Sequence, residues 1–242
     1  MLSSEDNLTS HYRKLQRNDF RNANLYYLLI SLIRGQSVLD IGCGSGVFLS
    51  LLKKRGKRVR GIETNSDLIT LAKELEPEIP IERGTAADID QYADYFDAIT
   101  MVDVLEHIKD DYCQLEKIYH RLNNNGQLIL VVPAFPGLFG RRDRLIGHYR
   151  RYTKNELINK LTSAGFKVSR LRYWNALGFI PYYLAEKIFR RELNVQLRGS
   201  SEKSKFQKLL IVGLNQWFRG VENKLDFGFG LSLICVAEKY IN

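Results

Sequence analysis

Two acids and four glycines stand in Asp40-Ile41-Gly42-Cys43-Gly44-Ser45-Gly46 and Gly61-Ile62-Glu63-Thr64. Glycines at 42, 44 and 46 let the backbone turn tightly and approach a ligand closely. The helix that follows offers free N–H groups and the positive end of its dipole. A dinucleotide loop requires Gly-x-Gly-x-x-Gly, but counted from Gly42 the sixth position is Val47. Asp40, just ahead of the loop, would repel a pyrophosphate and suit a cation, such as the ammonium end of a methionyl group. Glu63 lies where an acid can accept bonds from both ribose hydroxyls; its other reading is a charge near the helix start at Ser66. The small residues of Gly84-Thr85-Ala86-Ala87-Asp88 leave room for an adenine ring. Asp88 either contacts the adenine amine or caps the next turn.

A second set of residues could move a proton. His148 lies in Arg141-Arg142-Asp143-Arg144-Leu145-Ile146-Gly147-His148-Tyr149-Arg150-Arg151-Tyr152, which carries five arginines and one aspartate. A histidine titrates near neutrality and is a natural general base, so His148 is the candidate catalytic residue. Its alternative is a hydrogen-bonded loop histidine. Arg150 and Arg151 are the candidate ligands for a phosphate or carboxylate on the substrate, the alternative being a solvated basic loop. His107 is read as packing beneath the site, His120 as structural or solvated on a helix, and His11 as part of the N-terminal region.

These residues need elements to hold them. Ser37–Ile41, Arg58–Glu63, residues 79–83, Phe96–Val102, residues 128–132, 166–171 and 231–237 read as strands from their apolar runs and the Gly and Pro residues between them. Helical spacing fills the intervals: 47–54, stopped by Gly56; 68–75, ended before Pro77; 111–122, closed by the turn Asn123-Asn124-Asn125-Gly126. The capping box Thr153-Lys154-Asn155-Glu156 opens a helix that runs to Ala164. Regular alternation of strand and helix predicts an α/β fold: a Rossmann-like, seven-stranded, mostly parallel sheet with helices on both faces. Helices are expected over 1–34. Residues 174–230 read as a helical cap inserted before the last strand, and 1–242 as a single domain.

The bulk numbers agree. The chain has 242 residues, 45% hydrophobic and 26% charged, and carries a net charge of +9. Such a charge attracts an anionic partner or marks a generally basic surface. Three scattered cysteines, with no CxxC or Cys/His cluster, suggest no disulfide framework and no metal site. They fit a reducing cytoplasm. The polar segment Met1–Phe20 does not read as a signal peptide, and the apolar runs near Ala176–Ala185 and Leu209–Leu214 are too short to span a bilayer.

Val38–Gly46 resembles motif I of the class I S-adenosylmethionine-dependent methyltransferases. Phe96–Ile99 through Val104–Ile108 resembles the family's fourth-strand motif, and Asn125-Gly126-Gln127-Leu128 the turn before its fifth strand. The likeness is strongest to the small-molecule branch that includes the ubiquinone O-methyltransferases. It implies S-adenosyl-L-methionine as cofactor. Asp40, Gly42 and Gly44 would face its methionyl and ribose parts, with Glu63 on the ribose, Thr64 beside it, Thr85 and Ala86 flanking adenine, Val102 under the sulfonium and Arg21 pairing with the carboxylate. Where the family often has an acid, this chain has Thr85.

The expected function is methyl transfer to a small-molecule or lipid-linked acceptor, at oxygen in preference to nitrogen or carbon. The aromatics and basic residues of 174–230 (Phe179, Tyr182, Tyr183, Phe189, Trp217, Phe218) suit either peripheral membrane contact or packing against the sheet. Nucleic acid is not the expected partner: Asp103-Val104-Leu105-Glu106 stands where DNA amino-methyltransferases carry an Asn/Asp-Pro-Pro-aromatic loop. RNA modification, or cofactor binding without catalysis, is the alternative.

Overall fold

The computed structural model describes residues 20–188 and 205–240. His11, Phe189, the first part of the expected 1–34 helices and the middle of the 174–230 insertion lie outside the described residues. Seven strands form one sheet: β1 (Ser37–Ile41), β2 (Arg58–Glu63), β3 (Ile81–Arg83), β4 (Phe96–Val102), β5 (Leu122–Pro133), β6 (Phe166–Trp174) and β7 (Ser232–Lys239). Their order is β3-β2-β1-β4-β5-β7-β6. The first five are parallel; β7 runs antiparallel to β5 and β6.

Alternate residues of each strand point to opposite faces. Leu39 and Ile41, Ile99 and Met101, Leu128 and Leu130, and Leu233 and Cys235 share one buried cluster with Leu115 and Ile118 of one helix and Leu157 and Leu161 of another. Those helices are α4 (Asp111–Arg121) and α6 (Lys154–Ser163), which follow α1 (Phe20–Leu32), α2 (Val47–Lys53), α3 (Ser66–Leu75) and the short α5 (Arg141–Leu145). A second cluster joins Leu49 of α2 and Ile69 and Ala72 of α3 to Ile81 and Val59. The Thr153 hydroxyl accepts the Glu156 N–H at 3.1 Å, as its capping role requires.

Three boundaries differ from the sequence pattern for physical reasons. Strand β3 begins at Ile81, because Pro80 has no N–H to give the ladder; its carbonyl still accepts from Gly61. Strand β5 begins at Leu122 and absorbs the expected turn, with Asn125 in the left-handed region at φ 61° and a register shift opposite Phe96 and Ala98. Strand β6 runs on to Trp174, paired with β7 throughout. The insertion is helical where described, as α7 (Ala176–Tyr183) and α8 (Lys205–Trp217). No helix among the described residues is long and apolar enough to cross a membrane.

Contacts divide the chain into two compact units. In the smaller, most of α1 meets α8 and the turn after it: Asn24 Nδ2 donates to Asn215 Oδ1 at 2.6 Å, and Asn223 Nδ2 donates to the Asn24 carbonyl. The larger holds the whole sheet, α2 to α7 and residues 226–240. The 174–230 insertion is thus shared between the units.

Gly61 sets how closely the first glycine loop lies on this sheet. A Cβ there would sit 2.5 Å from Cys43 Sγ and 2.7 Å from Leu49 Cδ1. Gly61→Ala is expected to lose about 1–3 kcal/mol by overpacking, read as a lower urea midpoint with an unchanged slope. An unchanged midpoint would mean that Cys43 and Leu49 yield freely.

Candidate cofactor and acceptor site

Strands β1, β4 and β2 end side by side, and their register places Asp40 opposite both Thr100 and Gly61. Asp40 is buried, and its Oδ1 accepts the Thr100 hydroxyl at 2.6 Å. Burial raises its carboxyl to about 7; the Thr100 bond works against the rise and the neighbouring Glu63 charge adds to it. Gly42, Gly44 and Gly46 all take positive φ, at 74°, 57° and 74°, a conformation natural to glycine. The N–H groups of Gly42 and Cys43 both donate to the Ile62 carbonyl, which folds the loop onto the end of β2. Val104, just past β4, closes over the loop: a Cβ on Gly42 would meet its Cγ2 at 2.4 Å.

Glu63 is buried at the end of β2. Its Oε2 accepts the Gly44 N–H at 2.7 Å, and its Oε1 accepts the N–H groups of Thr64 and Asn65. Neither Asp40 nor Glu63 has an ion-pair partner among the described residues. Two buried acids beside three left-handed glycines, without a cation of their own among the described residues, fit a ligand that carries positive charge. Further along, Thr85 and Asp88 form a capping box: the backbone N–H and hydroxyl of Thr85 donate to Asp88 Oδ2 at 2.6 and 2.9 Å. Asp88 is therefore a cap. Ala86 is half-buried and lends its carbonyl to Gln114 Nε2. Val102 ends β4 half-buried, and Asp103 after it takes φ 54°. Arg21 belongs to the smaller unit, where its Nη1 donates to Asn22 Oδ1.

The segment after β5 is pinned from both ends. Ala134 bridges Tyr152, and the Tyr149 N–H donates to the Glu106 carbonyl. Inside this loop Asp143 is 1% exposed; it accepts the Gly140 N–H at 2.9 Å and Arg151 Nε at 2.9 and 3.0 Å, and His148 Nδ1 stands 2.9 Å from its Oδ1. These bonds outweigh the effect of its burial and hold its carboxyl down at about 2. His148 Nε2 points toward Glu106 Oε1 at 3.6 Å, and the His107 ring meets His148 edge-on at 4.6 Å. Partial burial, and then the charge of His148, lower the pKa of the exposed His107.

Both candidate arginines are engaged. Arg151 is 7% exposed: besides Asp143 it donates from Nη1 to the Ala134 carbonyl and from Nη2 to the Tyr182 hydroxyl at 2.6 Å. Arg150, whose side chain is 25% exposed, pairs with Asp111 at 2.8 Å and donates to the Lys109 carbonyl. Sequence reasoning did not single out Thr100, Glu106 or Tyr182 as members of the site, nor Asp143 as its hub. It also missed that Glu106, His107 and His148 bring one donor atom each within 4.8 Å of one another, a grouping that could hold a metal ion.

Beyond this loop lies an aromatic series. Phe135, at φ 60°, stacks on Tyr173 at 5.0 Å and meets Phe179 of α7 edge-on. Phe179 in turn meets Phe229, and Leu177 and Ile180 of α7 are exposed.

The profile of the family described as "Methyltransferase domain" matches residues 12–171. A ubiquinone biosynthesis O-methyltransferase of Pseudomonas entomophila is 29% identical over 101 residues, 40% of this chain and 44% of that protein. Its counterpart in Chromobacterium violaceum is 36% identical over 83 residues, 32% of this chain and 36% of that protein. The match thus spans less than half the length of these curated relatives. Among solved structures, an S-adenosylmethionine-dependent methyltransferase of Mesorhizobium loti superposes with a TM-score of 0.61 at 14% identity, over 90% of this chain and 99% of that one. A complex of a methyltransferase with the Trm112 methyltransferase activator of Haloferax volcanii gives 0.62 at 15% identity, over 98% and 96%. At these identities the solved structures show a shared fold.

Asp40 generates a pH prediction. Below about 7 its carboxyl holds a proton that a cationic ligand must displace; above about 7 the carboxylate is already formed. Affinity for S-adenosylmethionine is therefore expected to rise with pH through about 7, with proton release on binding, and Asp40→Asn should flatten the dependence. Calorimetry in two buffers of unlike ionisation enthalpy reads the released proton. Equal heats in both buffers would remove Asp40 from this role.

Proposed function

The chain belongs to the S-adenosylmethionine-dependent methyltransferase-domain family, and from that premise we propose that it methylates an oxygen of a small-molecule or lipid-linked acceptor. The observation that carries the proposal is the pair of buried carboxylates, Asp40 and Glu63, set around the left-handed glycines with no ion-pair partner among the described residues. Asp40, Gly42 and Gly44 hold the methionyl and ribose parts, Glu63 and Thr64 the ribose edge, Thr85 and Ala86 the adenine, and Val102 the floor beneath the reacting centre. When bound, S-adenosylmethionine supplies a methyl group already activated on a sulfonium. The protein's own work is then positioning and removal of the acceptor's proton.

His148 takes that proton. Two acids face its ring nitrogens, Asp143 on one side and Glu106 on the other, and both stabilise the charge the ring gains. Arg150 meets an acidic group on the acceptor with the exposed part of its side chain, while Arg151 serves from behind through Asp143. The aromatic series from Phe135 to Phe229 and the exposed Leu177 and Ile180 favour an acceptor with a long apolar chain, reached through peripheral contact with a membrane.

Labelled S-adenosylmethionine, offered with catechols and phenols that are short or chained and vesicle-borne, and with total RNA, tests the acceptor. Label is expected in the chained phenols. Label in RNA alone, or tight cofactor binding with no transfer to any acceptor, would overturn the proposal. His148→Gln should lower kcat by about 10²–10⁴-fold with cofactor affinity unchanged. Arg150→Gln should weaken KM for carboxylated acceptors and spare neutral ones; equal loss for both classes would sink the acidic-group contact.

A further inference from the structure

His148 can carry its single proton on either ring nitrogen, and only one choice leaves Nε2 able to accept another. Nε2 faces Glu106 Oε1 at 3.6 Å, beyond hydrogen-bond distance, whereas Nδ1 is hydrogen-bonded, so the surroundings of Nδ1 decide it. Asp143 Oδ1 stands 2.9 Å away and is an acceptor. The other bonds to that carboxylate come from donors: the backbone N–H of Gly140 and the guanidinium of Arg151. These two donors, one of them a guanidinium, converge on a carboxylate that is 1% exposed, so it is held as the anion. An anion beside Nδ1 requires a proton on Nδ1.

We propose that Asp143 is the positioning residue of His148: it fixes the ring proton on Nδ1, leaves Nε2 as the accepting nitrogen, and is itself fixed by Arg151 and, through Arg151, by Tyr182 of α7. The chain of contacts is continuous. Tyr182 accepts from Arg151 Nη2 at 2.6 Å, and the guanidinium also lies over the Tyr182 ring at 5.0 Å. Arg151 Nη1 donates to the Ala134 carbonyl just past β5, which anchors the fork to the sheet. The His148 N–H donates to the Asp143 carbonyl at 2.8 Å, so the two residues are joined by main chain as well as by side chain. Gly147 between them turns at φ 80°, which brings the ring back onto the acid five residues earlier. When Nε2 accepts a proton, the ring becomes a cation with an acid at each nitrogen; Asp143 stabilises that charge and keeps its own proton off. Seating of α7 thereby reaches the proton-accepting atom through one tyrosine, one arginine and one aspartate. The inference rests on His148 as the base of the reaction proposed above.

Long-range ¹H–¹⁵N spectroscopy on the full ¹⁵N-labelled chain reads the tautomer directly, with the His148 signals assigned by their loss in His148→Gln. The wild-type chain is expected to show the proton on Nδ1 alone. A wild-type proton on Nε2 overturns the proposal without any variant. Asp143→Asn is expected to mix the two tautomers, and Asp143→Glu to restore the Nδ1 form. In methyl transfer, Asp143→Asn should lower kcat on the order of 10- to 100-fold with little change in KM, and add nothing further in the His148→Gln background. Full loss in His148→Gln with none in Asp143→Asn overturns the positioning role. No loss in His148→Gln overturns the base itself and leaves the tautomer measurement standing.

Discussion

A carboxylate inside a sheet, with no counter-ion beside it, sets the terms for much of this molecule. Asp40 occupies the end of β1, the central strand of the parallel half, where the register places Thr100 and Gly61 on either side. Among the described residues it receives one side-chain bond, from the Thr100 hydroxyl, and burial holds its proton on to about 7. The arrangement costs stability, because a buried charge without a partner is unfavourable. The surrounding features follow from leaving room for the missing charge. The glycines turn left-handed to keep their backbone clear, Gly61 stays without a side chain so that Cys43 and Leu49 can close in, and Glu63 is folded back onto Gly44, Thr64 and Asn65.

The second acid, Asp143, is treated in the opposite way. It too is buried, yet it accepts from the Gly140 N–H and the Arg151 guanidinium, lies beside His148 Nδ1, and stays ionised far below neutrality. One aspartate among five arginines in the segment 141–152 serves as the hub of the loop. It joins the turn at Gly140, the ring of His148 and the fork of Arg151. The two acids therefore differ in their partners: among the described residues Asp40 has one hydroxyl bond, whereas Asp143 is held by a backbone N–H and a guanidinium.

Much of this was legible in the residues. Alternation of apolar runs with helical spacing gives the sheet and its helices, because strand and helix periods differ and the Gly and Pro residues that separate them are unambiguous. Asp40, the glycines and Glu63 are close in sequence or end adjacent strands, so their meeting needs only the strand order. What stayed hidden depends on distant pairs. Thr100 reads as one more residue of an apolar strand until the β1–β4 register is known. Glu106 and His148 are far apart in sequence, and Tyr182 lies in an insertion whose path no local pattern fixes. Arg151 looked like a ligand for an outside anion because charge patterns say nothing about burial; once its fork meets Asp143 the same charge is spent indoors. Local patterns likewise underestimated β5, since a run of three asparagines and a glycine reads as a turn although Asn125 can take φ 61° within an irregular strand.

The strand order has a consequence for how the chain reaches this shape. Strand β7 lies between β5 and β6, and among the described residues β6 pairs with no other strand. During synthesis the N-terminal parts emerge first, so β6 and the whole insertion leave the ribosome before the strand that joins them to the sheet. Until residues 232–239 arrive, β5 presents an open apolar edge, the kind of surface that invites wrong pairing. In the segment that leads into β7, Asp226 accepts from Lys154 and from the Tyr173 N–H, which ties that segment to α6 and β6.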